Sequence, residues 1–206
     1  MLKLYYAPGT CSLAAHITLI DAGAEFELCC VELNKQQQSS PEYLAINPKA
    51  RVPALETEHG VLTETPAILA YIAQISPQMQ LAPMDDPFAF ARLQAFNSYL
   101  CSTVHVAHAH RMRGHRWADE ASSFADMRRK VPETVRASFA LVETDLLEGP
   151  WVMGEAYSVA DAYLFTLAQW LENDGVNPYH LPRIMEHRAH MSERENVKKA
   201  IAAQQN

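Results

Sequence analysis

The stretch Leu2-Lys3-Leu4-Tyr5-Tyr6-Ala7-Pro8-Gly9-Thr10-Cys11-Ser12-Leu13-Ala14-Ala15-His16-Ile17-Thr18-Leu19-Ile20 changes its hydrophobic period in mid-course, and that change decides the fold. Leu2, Leu4 and Tyr6 alternate with Lys3 and Tyr5, the period of a strand. Ala7-Pro8-Gly9-Thr10 breaks the alternation. From Ser12 to about Ala22 the spacing of Leu13, His16, Ile17 and Ile20 predicts a helix with one apolar face, ended by Gly23. Phe26 to Leu33 reads as a second strand. A strand, a helix and a strand in that order call for parallel pairing through a right-handed crossover.

Further along, Asn47-Pro48-Lys49-Ala50-Arg51-Val52-Pro53-Ala54-Leu55 opens with turn chemistry and runs into a short strand. His59-Gly60 suits a hairpin turn, Val61 to Thr63 the returning strand. Thr65 to Ile75 has helical spacing at Ile68, Leu69 and Ile72. The order βαβ and then ββα predicts an α+β, thioredoxin-like N-terminal domain over residues 1–80. Pro77, Pro83 and Pro87 with Asp85-Asp86 predict a linker at 81–87. From 88 to 206 strand signals vanish, and the amphipathic stretches Phe88–His110, Phe124–Leu147 and Val159–Glu172 predict an all-α C-terminal domain. No internal repeat is visible, and only Gln36–Ser40 is compositionally biased.

A net charge of −7 without a dense Lys/Arg run argues against a nucleic-acid binder. Arg111, Arg113 and Arg116 with their neighbouring histidines form a small basic patch, which reads as a helix end or loop. The amino terminus reads directly as a strand without a leader pattern, and no apolar run approaches the roughly 20 residues of a membrane span. The expectation is a cytoplasmic protein without membrane association. Cysteines 11, 29, 30 and 101 form no CxxC pair, and adjacent Cys29 and Cys30 point to opposite faces of a strand. They read as reduced thiols rather than a disulfide framework.

Three segments together resemble the glutathione S-transferase superfamily: YYAPGTCSLAAHITL, NPKARVPAL followed by LTETPAILAYI, and GEAYSVADAYLF. Cysteine followed by serine in the first turn is similar to the bacterial beta class. The resemblance implies glutathione as co-substrate, no metal, and a homodimer. It also implies a set of site residues. Cys11 and Ser12 stand at the start of the first helix, where unpaired N–H groups and the helix dipole favour a thiolate. Cys11 then lies against the glutathione sulfur, with Ser12 helping through its hydroxyl or N–H. Otherwise Cys11 is a small buried hydrophobe and Ser12 a helix-start residue. Val52-Pro53 resembles the family's cis-proline turn, whose exposed backbone pairs with the cysteinyl backbone of glutathione. Glu64 and Thr65 open the third helix, where an amino terminus takes the γ-glutamyl carboxylate and Glu64 meets the ammonium. His105 stands where the beta class has a histidine facing the site, or is a solvated or core-edge histidine. Lys35 is placed to meet the glycine carboxylate, or is simply solvated. Tyr5, Tyr6, Met112, Trp117 and Trp170 are candidates for apolar contacts with an electrophile.

Two features read as structural. Ser158-Val159-Ala160-Asp161 is a capping box, so Asp161 is a folding residue. His105 and His108 share a helical face, but no carboxylate or cysteine at matching spacing completes a metal site. The functional expectation is transfer of glutathione sulfur to small hydrophobic electrophiles. One alternative is thiol–disulfide exchange or peroxide reduction through Cys11. A second is a module that binds glutathione, apolar ligands or a protein partner without catalysis.

Overall fold

The computed structural model describes residues 1–204. Strand β1 (Leu2–Tyr6) pairs in parallel with β2 (Phe26–Cys30) and antiparallel with β3 (Ala54–Thr57), which pairs antiparallel with β4 (Gly60–Thr63). The sheet order is β2-β1-β3-β4. Helix α1 (Ser12–Asp21) makes the crossover, a short helix α2 (Pro41–Ile46) precedes β3, and α3 (Thr65–Ile75) follows β4. This is a thioredoxin-like mixed sheet with its helices. Leu4, Leu55, Ile68, Leu69 and Ile72, all fully buried, form its core.

Helix α1 ends as its sequence implies. Gly23 takes φ +62° while its N–H reaches Ile20 O, and the Ala24 N–H reaches Leu19 O, a Schellman closure. The single apolar face expected for α1 is an underestimate. Ala14, Ala15, His16, Ile17, Thr18 and Leu19 are all buried because the helix lies between the sheet-side helix α3 and the later helices at Val159–Ala168 and Glu195–Ala203. The second strand is shorter than expected. It stops at Cys30, after which Val31 N–H still bonds Tyr6 O at 2.7 Å and the chain coils into 3-10 turns at Leu33–Lys35 and Gln37–Ser39. In the hairpin the turn residues are Glu58 and His59, and Gly60 already pairs with Thr57.

The remaining elements are helical: α4 (Pro87–Tyr99), α5 (His105–Ala109), α6 (Ala121–Leu141), α7 (Val159–Ala168), α8 (Pro182–Glu193) and α9 (Glu195–Ala203). Asp86 caps α4, accepting from the Phe88 and Ala89 N–H groups. A π-helical turn at Leu100–Val104 joins α4 to α5, so the stretch expected as one helix is one rod with a widened turn in its middle. Helix α7 is the buried spine, with every residue from Val159 to Ala168 inaccessible. Asp161, wholly buried, accepts from the Val152 and Ser158 N–H groups at 2.7 Å each and meets His187 Nε2 at 3.0 Å. The capping box is therefore also the knot that ties α7 to α8.

The two halves are clasped through α1. Asp21 accepts from Tyr157 OH at 2.6 Å, Asn196 Nδ2 at 2.8 Å and Arg194 at 3.1 Å, and that guanidinium lies over the Tyr157 ring. Gln204 Nε2 donates to His16 Nδ1 at 3.2 Å, which assigns the neutral imidazole its acceptor nitrogen.

Candidate functional site

A cavity of about 520 Å³ opens between one end of the sheet and the helical half. Its floor is the turn before α1. Gly9, at φ +70°, lets the chain fold back so that Thr10 and Cys11 face the cavity. Ser12 does not face it. Its buried hydroxyl donates to Ala7 O at 3.1 Å, lies 3.2 Å from the Ala7 N–H and 2.8 Å from Thr10 Oγ1, so it knots the turn and leaves Thr10 on the wall.

Cys11 caps α1 only through its backbone, and its Sγ donates to Val52 O at 3.5 Å. Burial pushes this thiol above its ordinary value, against the opposing pull of the Thr65 hydroxyl and the Arg113 guanidinium. This corrects the sequence expectation of a thiolate favoured by the helix end. Enclosure in a low-dielectric site, with a carbonyl to receive the S–H, outweighs the dipole.

The sheet-side wall is Arg51, Val52, Pro53, Glu64 and Thr65. Tyr43 OH and Asn47 Nδ2 both donate to Arg51 O at 2.7 Å, which fixes the chain before the cis Val52-Pro53 bond. Glu64 takes φ +72°, and Lys49 Nζ holds its carboxylate at 2.7 Å. No described side chain caps α3, so its amino end, with Glu64, Thr65 and Pro66 on the wall, offers the Thr65 N–H to the cavity.

The facing wall comes from the helical half. Cys101 in the π turn, His105 and His108 on α5, and Tyr163 on α7 all line it. His105 is pushed down to about 4, first by burial and then by His108, Arg113, Arg116 and Arg51, so it is neutral at pH 7. His108 Nδ1 meets both oxygens of buried Asp174 at 2.7 and 2.9 Å. Trp170 stacks on the His108 ring at 4.2 Å, meets His105 edge-on at 5.2 Å, and donates Nε1–H to Gly9 O at 3.2 Å. That last bond crosses the cavity from one half to the other. Among the described residues no group of three His, Cys, Asp or Glu is arranged to hold a metal ion.

The family description "Glutathione S-transferase, N-terminal domain" matches residues 1–74, and "Glutathione S-transferase, C-terminal domain" matches residues 108–197. Glutathione S-transferase GstA of Escherichia coli O157:H7 is 34% identical, with 98% of each chain covered. The chain belongs to the glutathione S-transferase family. A Sulfitobacter glutathione transferase homologue, solved with bound glutathione, superposes with a TM-score of 0.96 at 46% identity over 98% of both chains. A beta class glutathione S-transferase of Sphingomonas chungbukensis superposes at 0.86 with 31% identity, again over 98% of both.

In this member of the glutathione S-transferase family, Cys11, Val52, Pro53, Glu64, Thr65 and His105 all line one cavity. Lys35 does not; it is exposed and paired with Glu32 at 2.8 Å. Of the apolar candidates, Met112, Trp117 and Trp170 line the cavity, whereas Tyr5 and Tyr6 do not. Tyr5 OH donates to Glu56 at 2.8 Å, and Tyr6 is in the core. Sequence reading missed Thr10, Arg51, Cys101 and Tyr163. Tyr163 sits inside the stretch Val159–Glu172, and no local signal there separates a tyrosine that reaches a cavity from its packed neighbours.

Proposed function

We propose that the protein transfers the sulfur of glutathione to small hydrophobic electrophiles. The observation that carries this reading is the convergence of Cys11, Val52 and the uncapped start of α3 on one wall, opposite neutral His105. These residues fit a γ-glutamyl tripeptide. The N–H and hydroxyl of Thr65 receive the γ-glutamyl carboxylate, Glu64 meets the ammonium, and the Val52 backbone pairs with the cysteinyl residue next to Pro53. Lys35 remains the proposed partner of the glycine carboxylate, reached by leaving its exposed pairing with Glu32.

Glutathione supplies the thiol nucleophile. Cys11, kept protonated by burial, donates its S–H to the substrate sulfur and stabilises negative charge there. Ser12 acts one step removed, by holding Thr10 and Cys11 in place. His105 offers an unprotonated nitrogen for the departing proton. Met112, Trp117 and Trp170 take the apolar body of the electrophile.

Steady-state turnover of a chloronitroaromatic by the wild type and Cys11→Ala tests this. Turnover that falls at least about tenfold in the variant supports the reading, a loss in the range of one catalytic donor. Unchanged turnover removes Cys11 from the chemistry, and no turnover by the wild type favours the exchange reading below.

One observation favours a second reading. Cys101 lines the same cavity as Cys11, so the wall carries two cysteines. Glutathione-dependent exchange, or peroxide reduction at the expense of two glutathiones, then proceeds through a Cys11–glutathione disulfide. Intact-mass detection of that adduct during turnover separates the two readings. We further propose a detoxifying cytoplasmic homodimer divided into residues 1–80 and 88–206 about a linker at 81–87. A monomeric mass by light scattering would overturn the dimer.

A further inference from the structure

We infer that the electrophile side of this cavity is built for acceptors that carry a carboxylate, gripped by Arg113 and Arg116. The inference rests on the transferase reading and adds the substrate class.

Arg51, Arg113 and Arg116 all line the cavity, in a chain whose overall charge is −7. Among the described residues, none of the three guanidinium groups has a carboxylate within salt-bridge distance, although the acids of this chain outnumber its bases. The one carboxylate on the wall, Glu64, is already held by Lys49 at 2.7 Å. Asp174, behind the wall, is buried and bound to His108 at 2.7 Å. The next acid is therefore expected from outside. The crowding is also felt electrostatically: burial, then Arg113, then Arg51 hold the Arg116 guanidinium below its usual range. Like charges gathered in a concave, partly desolvated site raise one another's energy, and an anion relieves it.

Glutathione does not account for all three. Its γ-glutamyl carboxylate has the amino end of α3, and its glycine carboxylate has Arg51, adjacent to Val52 on the same wall, or Lys35. Arg113 and Arg116 stand on the helical wall, just beyond α5, in the basic patch that the sequence presents as a mere helix end. Their neighbours on that wall are Met112 and Trp117, 71% and 46% exposed at the mouth. An apolar shelf beside two unpaired guanidinium forks suits an aromatic or apolar body bearing a carboxylate, which arginine binds in bidentate fashion. Arg113 also acts on the Cys11 thiol through space. An acid bound there lies within Coulombic reach of the reacting sulfur, a few bonds from the carbon under attack.

The test uses 4-chloro-3-nitrobenzoate and 4-chloro-3-nitrobenzamide, which share a reaction centre and differ in charge. In both, a C–S bond forms at the carbon bearing chlorine, the C–Cl bond breaks, and chloride leaves with the bonding pair. At saturating glutathione, with each kcat/KM divided by that acceptor's uncatalysed rate with glutathione thiolate, the wild type is expected to favour the benzoate by about tenfold or more, the scale of one charge-assisted hydrogen-bonded pair. Arg113→Gln/Arg116→Gln should bring the ratio towards one, and Arg113→Lys/Arg116→Lys should keep part of it. A parallel calorimetric titration of the protein, saturated with S-methylglutathione, uses unreactive 3-nitrobenzoate and 3-nitrobenzamide and should show the same preference. No preference in the wild type, or one untouched in the glutamine variant, overturns the proposal. So does a glutamine variant that raises the KM for glutathione with both acceptors while leaving their ratio unchanged, since the arginines then hold glutathione. Absence of turnover with the calorimetric preference intact removes the transferase reading and leaves the anion site standing.

Discussion

The thiol of Cys11 and the carbonyl of Val52 face each other across 3.5 Å, joining the turn before α1 to the turn before β3. The contact gives the S–H a half-buried acceptor, and burial raises the thiol above its ordinary value of 9.0. Only the thiolate is alkylated by iodoacetamide. At pH 7.5 exposed Cys30 should therefore be labelled before Cys11. Labelling of Cys11 should rise by about tenfold per pH unit into the alkaline range. Peptide mapping of timed samples checks this, and Cys11 reacting first at neutral pH would show a thiolate instead.

Trp170 links the halves of the site through Nε1–H to Gly9 O and through its stacking on His108. In Trp170→Phe the ring is largely kept and the hydrogen bond is lost, a change of about 1 kcal/mol for a neutral pair. The loop that presents Thr10 and Cys11 loosens, and the KM for glutathione should rise by about fivefold. Thermal stability should move little. An unchanged KM would make Trp170 a packing residue alone.

Asp161 binds two backbone N–H groups and His187 with no exposure to solvent. Asp161→Ala strands those buried donors, and urea denaturation should register a loss of about 3–5 kcal/mol. The kcat of the fraction that remains folded should stay within about twofold of wild type, since the carboxylate lies on the far side of α7's packing and not on the cavity wall. A selective fall in kcat with stability retained would contradict the folding role.

His16 is buried with Nδ1 accepting from Gln204, and burial pushes it down to about 4 from 6.5. Because the folded value is depressed, the neutral ring contributes stability that is fully present above pH 6.5. That contribution is lost as pH falls from 6.5 towards 4. For His16 it amounts to about 3 kcal/mol at most, and His105 acts in the same direction. Chemical denaturation across that range should show a steep loss in the wild type and a shallower one in His16→Phe. Parallel slopes would exclude His16 from the acid sensitivity.

Much of this was legible before any coordinates. The change of period at Ala7–Thr10 announces the crossover, and Ser158–Asp161 announces the start of α7. What escaped the reading has physical reasons. Helix α1 is buried nearly all round, so spacing reveals only one of its packed sides, the one carrying Leu13, His16, Ile17 and Ile20. Helix α2 is short, and its signal is local: Ser40 Oγ accepts from the Tyr43 N–H behind Pro41. Ser12 and Thr10 share the chemistry of a hydroxyl at a helix start. Only the three-dimensional turn decides that Ser12 folds inward and Thr10 outward. Arg113 and Arg116 read as an ordinary basic helix end because sequence does not show that no acid comes to meet them.

The clasp on Asp21 has a consequence in time. Its three donors lie 136, 173 and 175 residues downstream. At synthesis rates of roughly 5–20 residues per second, the last of them leaves the ribosome about 10–35 s after the carboxylate it serves. Throughout that interval α1 has a charged side chain with no partner on the face destined for burial, so the nascent sheet half stays open to solvent there. The segment Arg194–Asn196 is thus the closing piece of the first helix, and a polypeptide released before it carries the unmet carboxylate.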